Sequence, residues 1–140
     1  MDRLVDQLTD YALNVSYEDL PIEVITRTKK LILDSIGCSF GAYDSLPAII
    51  ARKICSSVSC SNPAAVLVGG QRTTPDLAAF ANGVMIRYLD YSDVYWNTGV
   101  CHPSDMLGPV LAVADSLHLD GKSTILGAVL GYEILCGLVD

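Results

Sequence analysis

Pro75-Asp76-Leu77-Ala78-Ala79-Phe80-Ala81-Asn82-Gly83-Val84-Met85-Ile86-Arg87-Tyr88-Leu89 is the stretch on which the choice of fold class turns. Thr74 offers an N-cap oxygen, and Pro75 suits a first helical position because its missing N–H would be unpaired there in any case. Asp76 then complements the positive end of the helix dipole. These signals predict a helix from Pro75 to about Leu89 that delivers the chain into a polar loop.

Working outward, the same grammar repeats. Leu4, Val5, Leu8, Tyr11, Ala12 and Val15 recur near helical spacing and predict an amphipathic helix over about Asp2 to Val15. The break at Tyr17-Glu18-Asp19-Leu20 leads to Pro21, which opens a second helix to about Phe40 with a stripe of Val24, Ile25, Thr28, Ile32 and Ile36. Gly37 and Gly41 fall on its far end, where close packing or termination is expected. A third helix is predicted from Pro47 to about Ser57, one from Pro103 to about Leu117, and a last one from about Thr124 after Gly121-Lys122-Ser123. Only Ala64-Ala65-Val66-Leu67-Val68, closed by Gly69-Gly70, reads as strand, and it is too short to define a sheet. The expected class is all-α: a multi-helix, bundle-like part of a larger helical domain with one extended connector near 64–68.

With 51% hydrophobic and 18% charged residues, a chain of 140 residues has little polar surface to spread over a small body. Either it enters a membrane or further protein covers its helices. The apolar runs are interrupted by Asp34, Asp115 and Glu133, so no transmembrane segment is expected. The start, Met1-Asp2-Arg3-Leu4-Val5-Asp6, lacks the basic and apolar regions of a secretory signal, so the expected location is cytoplasmic, with the mitochondrial matrix as the alternative in a eukaryote although no transit peptide is seen. The final residues, Ile134 to Asp140, are apolar and lack a basic last turn, as expected of a chain that continues in a longer protein.

Five cysteines without a Cys-x-x-Cys pair argue against a disulfide framework, a structural zinc site or an iron–sulfur cluster. Two histidines without helical pairing supply no metal ligand set, so neither metal nor cofactor is expected. A net charge of −7 without a basic cluster disfavours nucleic acid.

The chemistry concentrates in Leu89-Asp90-Tyr91-Ser92-Asp93-Val94-Tyr95-Trp96-Asn97-Thr98-Gly99-Val100-Cys101-His102-Pro103-Ser104-Asp105. If the preceding helix persists, Asp90 and Asp93 share a face at i,i+3, and one pKa rises unless a cation intervenes. His102 precedes Pro103, so its ring falls at a helix N-terminus, where free N–H groups attract anions such as a substrate carboxylate. The dipole there lowers an imidazole's pKa and keeps it able to accept a proton. Asp105, in the first turn, is placed to satisfy those N–H groups or to orient Ser104. On spacing alone an ordinary solvated helix end, with His102 as N-cap and Trp96 as a core anchor, stands level with the functional reading. His118, at a helix end, reads as a partner of the last carbonyls, and Asp34, inside an apolar helix, as a structural carboxylate paired with a neighbouring helix terminus or base.

The order of motifs resembles one family. Leu89-Asp90-Tyr91-Ser92-Asp93 followed by His102-Pro103-Ser104-Asp105 resembles the "LDxxD…HPSD" stretch of the MmgE/PrpD lyases. Leu33-Asp34-Ser35-Ile36-Gly37 resembles their "LDxxG", Ala81-Asn82-Gly83 their "ANG", and Gly131-Tyr132-Glu133 their "GYE", all in order along nearly the whole chain. The resemblance implies that residues 1–140 are the first part of the family's helical domain, without its smaller α/β domain and with further active-site residues lying beyond. It implies a cofactor-independent lyase acting on a small polycarboxylate, with 2-methylcitrate dehydration favoured over cis-aconitate decarboxylation, isomerisation or an inactive oligomerising module. A homodimer is expected of the full-length protein, and this chain alone is expected to be inactive. Asp90 and His102 fall on family active-site positions, with Asp93 as a further catalytic candidate and Ser104, Asp105 and Tyr95 as candidate substrate contacts. Where the family commonly carries Thr, this sequence has Val94, which removes a hydroxyl from the substrate's surroundings.

Overall fold

A computed structural model describes residues 3–140 and is helical throughout its framework. Six helices are described: α1 (Leu4–Asn14), α2 (Ile22–Ala42), α3 (Leu46–Cys55), α4 (Pro75–Arg87), α5 (Leu107–Ser116) and α6 (Gly121–Val139). The all-α expectation holds, and each predicted helix is present within a few residues of its predicted bounds. The predicted start of the first helix at Asp2 lies outside the described residues.

Helix α4 is the hub, packing on α2, α3 and α5. Its Ala78, Ala81, Asn82, Met85 and Ile86 are buried, a 3–4 spacing that turns one face inward. Met85, Ile86 and, from α5, Leu107 are fully buried, each worth about 1.5–3 kcal/mol of transfer from water. Small residues set how closely the helices approach. A Cβ on Gly108 of α5 would lie 3.0 Å from both the Ala79 carbonyl oxygen and the Gly83 backbone nitrogen, and one on Gly41 would lie 2.7 Å from Leu89. Gly41 thus does what its position predicted, whereas Gly37 faces open space.

On α2 the buried stripe is Ile25, Thr28, Ser35, Cys38, Ser39 and Ala42 rather than the predicted continuation through Ile36. Choosing small residues lets the C-terminal half of α2 approach α4 and leaves Leu33 and Phe40 exposed. Asp34 is exposed and makes no ion pair among the described residues, which corrects its reading as a structural carboxylate paired with a neighbouring helix terminus or base.

The extended connector forms a short antiparallel hairpin, β1 (Ala64–Ala65) with β2 (Arg72–Thr73). Val68, Gly69 and Gly70 turn it with φ of 61°, 97° and 72°. The buried Asn82 side chain holds it down: Oδ1 accepts from Leu67 N–H at 2.7 Å and Nδ2 donates to the Ala65 carbonyl at 3.2 Å. Asp115 of α5 accepts the Ala65 N–H at 2.7 Å and pairs with Arg72. A second hairpin, β3 (Tyr95–Trp96) with β4 (Val100–Cys101), was not foreseen. Two-residue strands carry too little alternation for sequence periodicity to register.

Helix α6 is long and apolar enough to cross a bilayer by those two criteria alone, despite Glu133. Here its Ile125, Ala128 and Val129 are buried against the rest of the chain, and it packs on α2 and α5. His118 follows α5 at φ 53°, and it is its backbone N–H that reaches the Asp115 carbonyl.

Candidate active site

Helix α4 stops at Arg87, so Asp90 and Asp93 do not share a helical face. Asp90 is instead in the left-handed region at φ 54°, uncommon for a residue other than glycine and characteristic of turns and functional segments. The conformation turns its carboxylate back onto the guanidinium of Arg87. That hydrogen bond and charge hold the Asp90 carboxyl below the usual range, so Arg87 is the cation needed to relieve carboxylate crowding. Arg87 also lies 3.8 Å from Asp105.

The loop continues to Asp93, which uses two of its groups at once. Its carboxylate Oδ1 accepts the Ser104 backbone N–H at 3.0 Å, and its backbone carbonyl lies 2.7 Å from His102 Nδ1. A carbonyl can only accept, so Nδ1 carries a proton, and the tautomer this selects for an uncharged ring has its lone pair on Nε2. Of the N–H groups after His102, that of Ser104 binds a carboxylate, and it is the protein's own. Residues Pro103–Met106 form a short 3₁₀ turn ahead of α5, and Asp93 rather than Asp105 meets its Ser104 N–H.

The remaining candidates are placed as follows. Ser104 is fully buried and its hydroxyl has no partner, so no open surface leads to it in this chain. Asp105 is exposed as a residue, yet partial burial of its carboxyl pushes its pKa up against the opposing pull of Arg87 and His102. The Tyr95 hydroxyl lies 2.8 Å from both carboxylate oxygens of Asp140, and Asn97 donates to the same group at 2.7 Å. Tyr95 therefore pins the β3–β4 hairpin to the end of α6. Trp96 is 80% exposed and is no core anchor, and Val94 is exposed beside it.

The geometry thus brings together His102, Asp93 and the Ser104 backbone, with Asp90, Arg87 and Asp105 as a charged rim coupled to His102. Tyr132 of α6 also enters. Its hydroxyl is buried, and burial together with the neighbouring Asp93 carboxylate raises its pKa. Sequence reasoning used Tyr132 only as part of a motif; a polar tip on an otherwise apolar helix was the available signal.

Comparison with known proteins bears on the family of the chain. Residues 6–140 match the MmgE/PrpD N-terminal domain. The chain is 30% identical to the 2-methylcitrate dehydratase of Salmonella typhimurium, covering 99% of this chain and 28% of that protein. It is 34% identical to a probable 2-methylcitrate dehydratase of Saccharomyces cerevisiae, over 84% of this chain and 23% of that protein. Against the cis-aconitate decarboxylase of Aspergillus terreus the identity is 27%, over 93% and 28% respectively. The chain thus spans about a quarter of the length of these relatives. With the family domain matched over almost its entire length, the chain belongs to the MmgE/PrpD family.

Proposed function

We propose that this chain contributes the His102 half-site of a cofactor-independent lyase that eliminates water from a small tricarboxylate of the 2-methylcitrate type. The observation that carries the reading is the His102 Nδ1 contact to the Asp93 carbonyl, which leaves Nε2 as a basic lone pair in the family's "LDxxD…HPSD" segment. Elimination needs a base to take the proton next to a carboxylate and an acid to protonate the departing hydroxyl. His102 Nε2 takes the first role. Asp93 orients the ring through its backbone, and Asp90, kept ionised by Arg87 and close enough to His102 to feel its charge, relays the proton outward. Arg87 is the local cation for a substrate carboxylate. Additional acid and cationic groups come from the part of the protein that corresponds to the remaining length of the relatives, so turnover belongs to the whole protein and this chain by itself is inactive.

A second reading, loss of carbon dioxide from a cis-aconitate-like substrate, is favoured by Val94, which offers no hydroxyl to a leaving water. Assay of the full-length protein on 2-methylcitrate and on cis-aconitate, following the unsaturated product and carbon dioxide, separates the two. His102→Ala is expected to lower turnover by about 10²–10⁴-fold, the usual contribution of a positioned acid or base. Unchanged turnover in that variant removes the assignment.

A further inference from the structure

A buried hydroxyl without a hydrogen bond is uncommon, because it has given up its bond to water and gained none in return. The Tyr132 hydroxyl is such a group. Its ring lines a groove of about 320 Å³ between α2 and α6 with Val24, Arg27 and Thr28, while the hydroxyl is turned to the closed side. Gly131 explains how it gets there. A Cβ at residue 131 would meet the Met106 Cβ at 3.3 Å, so α6 is pressed onto the Pro103–Met106 turn at this point and Tyr132 is delivered to the loop that precedes it.

The charged and titratable groups around the hydroxyl are Asp93 from the loop, Arg27 from α2 and Cys136 from α6. Asp93 has one carboxylate oxygen, Oδ1, committed to Ser104, and among the described residues Oδ2 accepts no hydrogen bond. A donor without an acceptor thus neighbours an acceptor without a donor.

We propose that Tyr132 is a positioning residue whose phenol donates to Oδ2 of Asp93, holding the Asp93 carbonyl on His102 Nδ1 and so fixing the imidazole tautomer. Burial and the neighbouring Asp93 carboxylate raise the pKa of the phenol, so it remains a donor at neutral pH. Tyr132 touches no substrate in this scheme and acts through Asp93. Its catalytic consequence rests on the lyase reading above, but its effect on the tautomer does not.

The test exploits a chain with only two histidines, His102 and His118. In the ¹⁵N-histidine-labelled chain carrying His118→Asn, long-range ¹H–¹⁵N spectra above the imidazole titration should show His102 almost wholly as the Nδ1–H tautomer. Adding Tyr132→Phe should reduce that population by roughly twofold or more, since the Nδ1–H tautomer is held by the bond that Nδ1 donates to the Asp93 carbonyl. An unchanged tautomer in a folded Tyr132→Phe chain overturns the proposal, as does an Nε2–H tautomer in the parent. If Tyr132→Phe fails to fold, the parent decides: a slowly exchanging Tyr132 hydroxyl proton supports the bond, and a freely exchanging one overturns it. In the full-length protein the same substitution should lower kcat by about tenfold with KM unchanged and shift the pH–rate profile, because it disturbs an acid–base group and not a substrate contact. A full-length protein without lyase turnover whose tautomer still responds to Tyr132→Phe sinks the lyase reading alone. Turnover with an unresponsive tautomer sinks this proposal alone.

Discussion

The Asp93 carbonyl and His102 Nδ1 lie 2.7 Å apart, and the carboxylate of the same aspartate caps the Ser104 N–H one residue beyond Pro103. Asp93 therefore clamps both sides of the His-Pro step. Its side chain secures the turn, and its main chain sets which nitrogen of His102 is basic. One residue couples the stability of the loop to the protonation state of the histidine.

Asp93→Ala should destabilise the chain by about 1–3 kcal/mol, the cost of leaving the buried Ser104 N–H unpaired. Asp93→Asn, whose amide oxygen can still accept, should lose about half as much, since charge-assisted bonds are roughly twice as strong as neutral ones. Urea denaturation of the three proteins measures this. Equal loss in both variants would mean that the Ser104 contact contributes little.

Asn82 is expected to be among the most sensitive positions in the molecule. Asn82→Ala strands the Leu67 N–H and the Ala65 carbonyl together, and a loss of about 2–4 kcal/mol follows if each unpaired group costs its usual share. Thermal melting and amide exchange at Leu67 would register it. Exchange unchanged at Leu67 would contradict the bridging role.

The glycines make a paired prediction. Gly108→Ala drives a methyl against the α4 backbone and should cost about 1–3 kcal/mol, because neither the Ala79 carbonyl nor the Gly83 nitrogen can yield without moving the helix. Gly37→Ala, in a helix interior with open space around it, should stabilise by about 0.5–1 kcal/mol. Calorimetry on the two variants should show shifts of opposite sign.

Thiol chemistry should depend on position and pH. Burial, helped by the neighbouring Cys101, pushes the Cys136 thiol up to about 11, whereas Cys60 is exposed on the loop after α3. Because the thiolate is the reactive species, iodoacetamide at pH 8 should label Cys60 first, with Cys136 labelling rising about tenfold per pH unit towards its own titration. The folded thiol has the higher pKa, so its contribution to stability is full below the unfolded value of about 8.5 and is lost as pH rises through about 11. Peptide mass spectrometry and melting curves between those limits test both statements. Labelling of Cys136 as fast as Cys60 at pH 8 would refute them.

Much of this protein was legible as sequence because helix signals are local. Pro75 after Thr74, Pro21 after a polar break and the 3–4 spacing on α4 act within a turn or two, and the predicted helices follow them. The family, too, could be read from ordered short motifs, because each occupies contiguous residues. What tertiary structure alone decided was which groups meet. Residue spacing made Asp90 and Asp93 neighbours on a helix; the end of α4 at Arg87 and the left-handed turn at Asp90 separated them. Asp105 seemed the natural partner for the Ser104 N–H by proximity in sequence, yet a hairpin too short for periodicity to reveal folds the chain so that Asp93 claims it. Tyr132 reaches the same cluster only because Gly131 lets α6 close on the turn. Local propensity specifies elements one turn at a time, whereas a site depends on long-range contacts that exist only once those elements are packed.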